Sequence, residues 1–227
     1  MDKVLHTGHR ERLRAKLSKG DIEPHELLEL ILFNALPRVN TNNIAHELID
    51  KCGGIWGVFH TPPSKLTEVD GIGETAAIYI HAIGRMMGVC VIDACDTKLL
   101  ATSERELTKY AVGLFLGEGT EKTYMLMFSD KGRFIGHEKI GDGFYFQNQV
   151  RIYDAVALAK RNNAKRLIIV HNHPSNVSTP SDTDIATSEH LDIAFSSIGA
   201  KIDRHCIVAG GDLIDFTDKV RRKPESK

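Results

Sequence analysis

Leu167-Ile168-Ile169-Val170-His171-Asn172-His173-Pro174, followed by Ser175–Pro180 and then Ser181-Asp182-Thr183-Asp184, is the stretch on which the reading of this chain turns. Four consecutive apolar residues predict a strand buried on both faces, as in an α/β sheet. Side chains two apart on an extended chain point the same way, so His171 and His173 can reach one ion. Pro174 ends the strand, and Ser175–Pro180 has loop composition. Ser181 then stands where a helix N-cap is expected and Asp184 falls in the first turn, so a cap bond from Ser181 fixes the turn that presents Asp184. Two imidazoles and one carboxylate suit a single Zn²⁺, and three protein ligands leave the fourth tetrahedral position to water, the catalytic rather than the closed structural arrangement.

Activating that water requires a group that takes and returns its proton. Glu138 is the candidate, because it lies in the strand before a helical crossover and can border the strand that carries the histidines. His137 precedes it, and strand alternation aims His137 at the opposite face. Ser181 is a second candidate, able to hold the water or a developing oxyanion through its hydroxyl. Asn172 reads as structural.

Outward from this segment, the C-terminal half alternates helices and strands. Helices are expected over 102–115, 150–163 and 182–198, the last burying Leu191, Ala194, Phe195 and Ile198. Strands are expected over 123–129 and 133–140, joined by a turn at Asp130-Lys131-Gly132, and over 201–209 as the closing strand. The fold class is therefore α/β, a mixed sheet flanked by helices, over 97–223. The N-terminal half, 1–92, shows no strand pattern. Its helices are expected over 24–35, opened by Pro24, over 42–51, stopped by Gly53-Gly54, around 56–59, over 62–68 with Ser64 as a cap, and from Glu74 to about Met87. A linker, flanked by Cys90 and Cys95, is placed between the halves.

Composition narrows the function. The net charge of −1 excludes a chain that binds nucleic acid by bulk electrostatics. Lys219, Arg221, Arg222, Lys223 and Lys227 make a basic tail that reads as a solvated terminus. None of the four cysteines forms a CxxC pair, which argues against a Cys-rich zinc site and for reduced thiols. The opening MDKVLHTGHR has no apolar signal core, and the uninterrupted apolar runs fall far short of the roughly 20 residues that cross a bilayer. A cytoplasmic protein without membrane association is expected.

His171-Asn172-His173-Pro174-Ser175 with Ser181 and Asp184 resembles the JAMM signature of MPN domains, and the Asn between the histidines resembles the bacterial RadC-like (UPF0758) branch. Glu138-Lys139-Ile140-Gly141-Asp142-Gly143 matches that branch's Glu followed by Gly five residues on, and Glu26-Leu27-Leu28 and Gly71-Ile72-Gly73 match it in the N-terminal half. The resemblance implies a zinc-dependent hydrolase fold whose characterised relatives outside the RadC branch cleave peptide or isopeptide bonds. It implies His171, His173 and Asp184 as ligands of one Zn²⁺, Glu138 as general acid/base, and Ser181 as an aid to the water or oxyanion. The chain departs from the pattern at Asn176-Val177-Ser178, where the family has Gly-Asp-Pro, and at Arg204, where Asp precedes the His of the final strand.

Leu66–Ala77 resembles a helix-hairpin-helix. Gly71 and Gly73 allow a turn with positive φ, with backbone N–H groups at the start of the next helix that favour a phosphate. Asp70 and Glu74 flank this turn and would repel one. Three functions follow as expectations: a zinc hydrolase of a polypeptide substrate; a DNA-binding accessory protein associated with DNA repair, whose metal site is structural or regulatory; and a metal-dependent nuclease. The sequence sets neither the substrate nor the oligomeric state.

Overall fold

A computed structural model describes residues 7–37, 39–95, 103–143 and 149–221. Residues 1–6, 38, 96–102, 144–148 and 222–227 lie outside them, and with them the expected helix start at Thr102. The chain divides into two compact units, Met1–Met86 and Met87–Lys227.

The first unit is helical: α1 (Thr7–Lys19), α2 (Pro24–Ala35), α3 (Thr41–Cys52), α4 (Ile55–His60), α5 (Pro63–Leu66) and the start of α6 (Glu74–Ala94). Local chemistry sets the boundaries. Pro24 opens α2 beside a Glu23/Glu26 capping box. The Asn40 side chain accepts from Asn42 N at the start of α3, and Gly53 ends α3 in the left-handed region. Leu28, Leu32, Leu48, Val58, Leu66 and Ile80 close its core. Three expectations change. Helix α1 has no apolar stripe that announced it. Helix α5 starts on Pro62 and Pro63, with no side-chain cap, so Ser64 is not its N-cap. Helix α6 runs on to Ala94, so the residues around Cys90 are helix and not linker.

Helix α6 also has the length and apolar composition to cross a membrane. Its Ala76, Ala77 and Ile80 are instead buried in the core of the first unit.

The second unit continues with α7 (Glu104–Phe115), β1 (Lys122–Phe128), β2 (Phe134–Asp142), α8 (Gln149–Arg161), β3 (Arg166–Asn172), α9 (Asp182–Ser196), β4 (Lys201–Ala209), β5 (Asp212–Asp215) and α10 (Thr217–Arg221). The sheet order is β2-β1-β3-β4-β5. It is mixed: β1 is antiparallel to β2 and β3, β3 is parallel to β4, and β4 is antiparallel to β5. The β1–β2 hairpin turns on Gly132, at φ 73°, where Gly132 N donates to Ser129 O at 2.9 Å. Strand β4 does not close the sheet. Gly210-Gly211, both at positive φ, turn it back into β5.

Helix α7 covers one face over Leu126, Phe128, Ile168, Val170 and Cys206. Helices α8 and α9 cover the other over Met125, Met127, Leu167, Ile169 and Ile202. Leu167–Val170 therefore alternate between two buried faces, as the unbroken apolar run requires, each side chain contributing about 1.5–3 kcal/mol of burial. The stripe of α9 is narrower than expected: Leu191 and Phe195 are buried, whereas Ala194 and Ile198 are half-buried.

Candidate metal centre

Strand β3 delivers His171 at its end and His173 one residue beyond. His173 N still donates to Val208 O of β4 at 2.9 Å, so the chain stays extended through both histidines before Pro174 turns it. Buried Asn172, between them, points the other way and clips the start of β1. Its Oδ1 accepts from Lys122 N at 2.7 Å, and its Nδ2 donates to Thr120 O at 3.1 Å. The structural reading of Asn172 holds.

Ser181 is the N-cap of α9. Asp184 N donates to Ser181 Oγ at 3.2 Å, and Ser181 N donates to Asp184 Oδ2 at 2.7 Å. This reciprocal pair fixes the carboxylate in the first turn, opposite the two imidazoles. His171 Nε2 lies 3.0 Å from His173 Nε2. Asp184 Oδ1 is 3.7 Å from His171 Nε2, and Asp184 Oδ2 is 3.5 Å from His173 Nε2. A tetrahedral ion at about 2.0–2.1 Å from each donor requires donor–donor separations near 3.3 Å. The two imidazole nitrogens sit slightly inside that value and a carboxylate oxygen sits slightly outside it from each ring, a different oxygen for each. One ligand atom from each of the three residues lies within 4.8 Å of the others, and among the described residues this is the cluster of His, Cys, Asp or Glu able to hold a metal ion.

The loop that departs from the family pattern holds His173. His173 Nδ1 lies 2.6 Å from Val177 O, which fixes Nδ1–H as donor and leaves Nε2 turned to the cluster. Asn176 shapes the turn at φ 60°. Its N–H donates to His173 O at 2.9 Å and its Oδ1 accepts from Gly210 N at 3.0 Å. Asparagine is among the few residues that tolerate this conformation.

The electrostatics separate the three groups. Burial pushes His171 down to about 3, so its imidazole is neutral throughout the physiological range. The hydrogen bond to Asp184 raises His173 above its ordinary value, against burial. Burial acts to raise Asp184, and the hydrogen bonds from His173 and Ser181 overcome it, bringing the carboxyl to about 2. Neutral imidazole and ionised carboxylate are the forms that ligate.

Glu138 is exposed on β2. The expectation that its strand borders the one carrying the histidines is corrected: β1 lies between β2 and β3, and Glu138 pairs with Met125 of β1, which pairs with Ile169 of β3, two residues before His171. Directly paired residues share a face, so Glu138 and His171 lie on the same side of the sheet. His137 faces the other side, where its Nδ1 meets Tyr110 Oη of α7 at 2.6 Å. Arg204 is likewise turned from the centre, bonded to Glu104 at 2.5 Å. The neighbouring His205 is fully buried. It faces α9, with Nε2 3.2 Å from Asp192 Oδ1.

A family model for the RadC-like JAB domain matches residues 101–221. The chain belongs to the RadC-like family. It is 29% identical to a UPF0758 protein of Fusobacterium nucleatum over 222 residues, covering 93% of this chain and 96% of the relative. It is 30% identical to a UPF0758 protein of Rhodobacter capsulatus over 207 residues, covering 90% and 97%. A UPF0758 protein of Polaromonas is 27% identical over 210 residues, covering 92% and 93%.

In this RadC-like chain the N-terminal glycines differ from each other. Gly71 adopts φ 86° and a Cβ there would come within 2.8 Å of Ile44 Cδ1, whereas Gly73 does not adopt positive φ and faces open space. The expectation of positive φ at both is corrected: Gly71 alone needs its missing side chain.

Proposed function

We propose that the C-terminal unit is a zinc-dependent hydrolase of peptide or isopeptide bonds. The observation that carries this reading is the convergence of His171 Nε2, His173 Nε2 and an Asp184 carboxylate oxygen at ligand separations, with Glu138 on the same sheet face. His171, His173 and Asp184 would hold the ion, which when bound supplies a Lewis acid and lowers the pKa of coordinated water.

The protein's own groups do the rest. Val177 O holds the His173 ring in one tautomer. Ser181 N–H and the helix start hold the Asp184 carboxylate in place. Glu138, open to solvent, takes a proton from the attacking water and delivers it to the leaving amine. The Ser181 hydroxyl accepts from Asp184 N at the mouth of the cluster, and its O–H, shared with the Asp184 carboxylate in this structure, would turn to donate to an oxyanion. The four cysteines are unpaired thiols, which suits a reducing cytoplasm. Asp70 and Glu74 beside the Gly71–Gly73 turn weigh against a phosphate there, so a polypeptide substrate is favoured over DNA.

The test incubates zinc-loaded protein with a peptide library and reads new termini by mass spectrometry. Wild-type protein is expected to cleave. His173→Ala should lose zinc and activity together, and Glu138→Gln should keep zinc while losing about 10²-fold or more in rate. Undiminished zinc and activity in His173→Ala would sink the proposal.

A further inference from the structure

Helix α9 presents a polar strip to the sheet below the metal centre. Asp184, Ser188 and Asp192 follow at intervals of four, which places them along one side of the helix. Ser188 is fully buried, and so is His205 of β4. His205 Nε2 meets Asp192 Oδ1 at 3.2 Å. The other ring nitrogen, His205 Nδ1, and the Ser188 hydroxyl are buried without protein hydrogen-bond partners. Burying such groups costs desolvation that apolar side chains would not incur. The Phe216 ring packs against both His171, at 5.9 Å between centroids, and His205, at 6.0 Å. His205 is thus one ring removed from a proposed ligand.

We propose that Asp192 and His205 are positioning residues for the metal centre, tying α9 to β4 so that Asp184 meets His171 and His173 at ligand distance. This rests on the metal-site reading above. The third ligand alone comes from α9, and it sits in the first turn of that helix. The apolar contacts of Leu191 and Phe195 attract α9 to the sheet without fixing its place along it, because hydrophobic burial is non-directional. Metal ligands must be placed to about 0.2 Å. A hydrogen bond between a side chain of α9 and one of β4, two turns from Asp184, supplies the direction that packing lacks. Arg204 does not disturb this pair, since its side chain serves Glu104 and Asp215.

The test loads the full chain with Co²⁺, follows the visible absorption band, and measures affinity by competition with a chelator. Asp192 is half-buried, so Asp192→Ala is expected to fold. Its Co²⁺ affinity should fall about 10- to 100-fold, with a shifted or weakened band. Asp192→Asn keeps an oxygen that accepts from His205 Nε2–H and should restore most of the affinity and the band. Should the alanine variant not fold, Asp192→Glu, which moves the carboxylate by one methylene, carries the same prediction of loss. An Asp192→Ala protein with wild-type affinity and band overturns the proposal, as does an Asp192→Asn protein no better than Asp192→Ala. Wild-type protein that takes up no Co²⁺ overturns the metal-site reading itself, and is distinguishable from both.

Discussion

Replacing Asn172 with Ala removes a clip rather than a ligand, and its cost can be worked from the structure. The Asn172 side chain is 4% exposed and makes two hydrogen bonds across 50 or more residues of chain, to Lys122 N at 2.7 Å and Thr120 O at 3.1 Å. The alanine variant leaves both backbone groups without that partner. Fully buried, each loss would cost about 1–3 kcal/mol. Lys122 is half-buried and Thr120 exposed, so water reaches part of the gap and the lower end applies. Two losses of about 1 kcal/mol give about 2 kcal/mol, and for a unit of roughly 140 residues this lowers Tm by about 6 °C. Asn172→Asp should do no better, because its second oxygen would face the Thr120 carbonyl where an N–H now donates. Calorimetry of the purified chain reads the shift. A Tm within about 1 °C of wild type for Asn172→Ala would refute the reasoning that this side chain ties β3 to β1.

Asn176→Ala should destabilise by about 2 kcal/mol, from the lost bond to Gly210 N and the left-handed backbone, whereas Asn176→Gly loses the bond alone and should cost about 1 kcal/mol; urea denaturation separates them. Zinc affinity should fall as pH drops through the raised pKa of His173, above the ordinary imidazole value near 6.5, because the ion displaces that proton. His171 is held neutral down to about 3 and adds no second proton, so titrations at several pH values should show about one proton displaced per ion; two would contradict the assignment. In the metal-free chain the raised His173 adds stability below pH about 6.5 that disappears as pH rises through its folded-state value, while the lowered His171 costs stability as pH falls below about 6.5, so the His173 contribution is read as the difference between wild-type and His173→Gln thermal melts with chelator present. Tyr110→Phe leaves His137 Nδ1 half-buried without its phenolic partner and should cost about 1 kcal/mol while sparing metal affinity, since His137 faces α7.

The His171, His173 and Asp184 cluster is legible in the sequence because its side-chain chemistry coincides with local backbone chemistry. The apolar run gives a strand, alternation puts His171 and His173 on one side, and Ser181 caps the helix that starts at Asp182. Each inference uses neighbours along the chain. What escaped is held by partners distant in sequence. Helix α1 buries Leu13 but otherwise docks through polar ties, His9 to Glu29 at 2.9 Å and Lys16 to Glu26 at 2.6 Å. No apolar period announces such a helix, and nothing local says that Glu29 is fully buried. The Asp192–His205 pair spans a helix end, a turn and half a strand, so neither residue signals the other. Strand β5 has four residues, too few for a pattern, and only the Gly210-Gly211 turn signals that the chain reverses there. The loop at Asn176 departs from the family's Gly-Asp-Pro, and its backbone still places the Val177 carbonyl on His173 Nδ1.

Metal stoichiometry tests the central claim most directly. Purified chain, stripped with chelator and dialysed against limiting zinc, should retain one ion per chain by elemental analysis, and Asp184→Ala should retain far less at the same free zinc. A wild-type chain that holds no stoichiometric zinc, or an Asp184→Ala chain that holds as much as wild type, would contradict it.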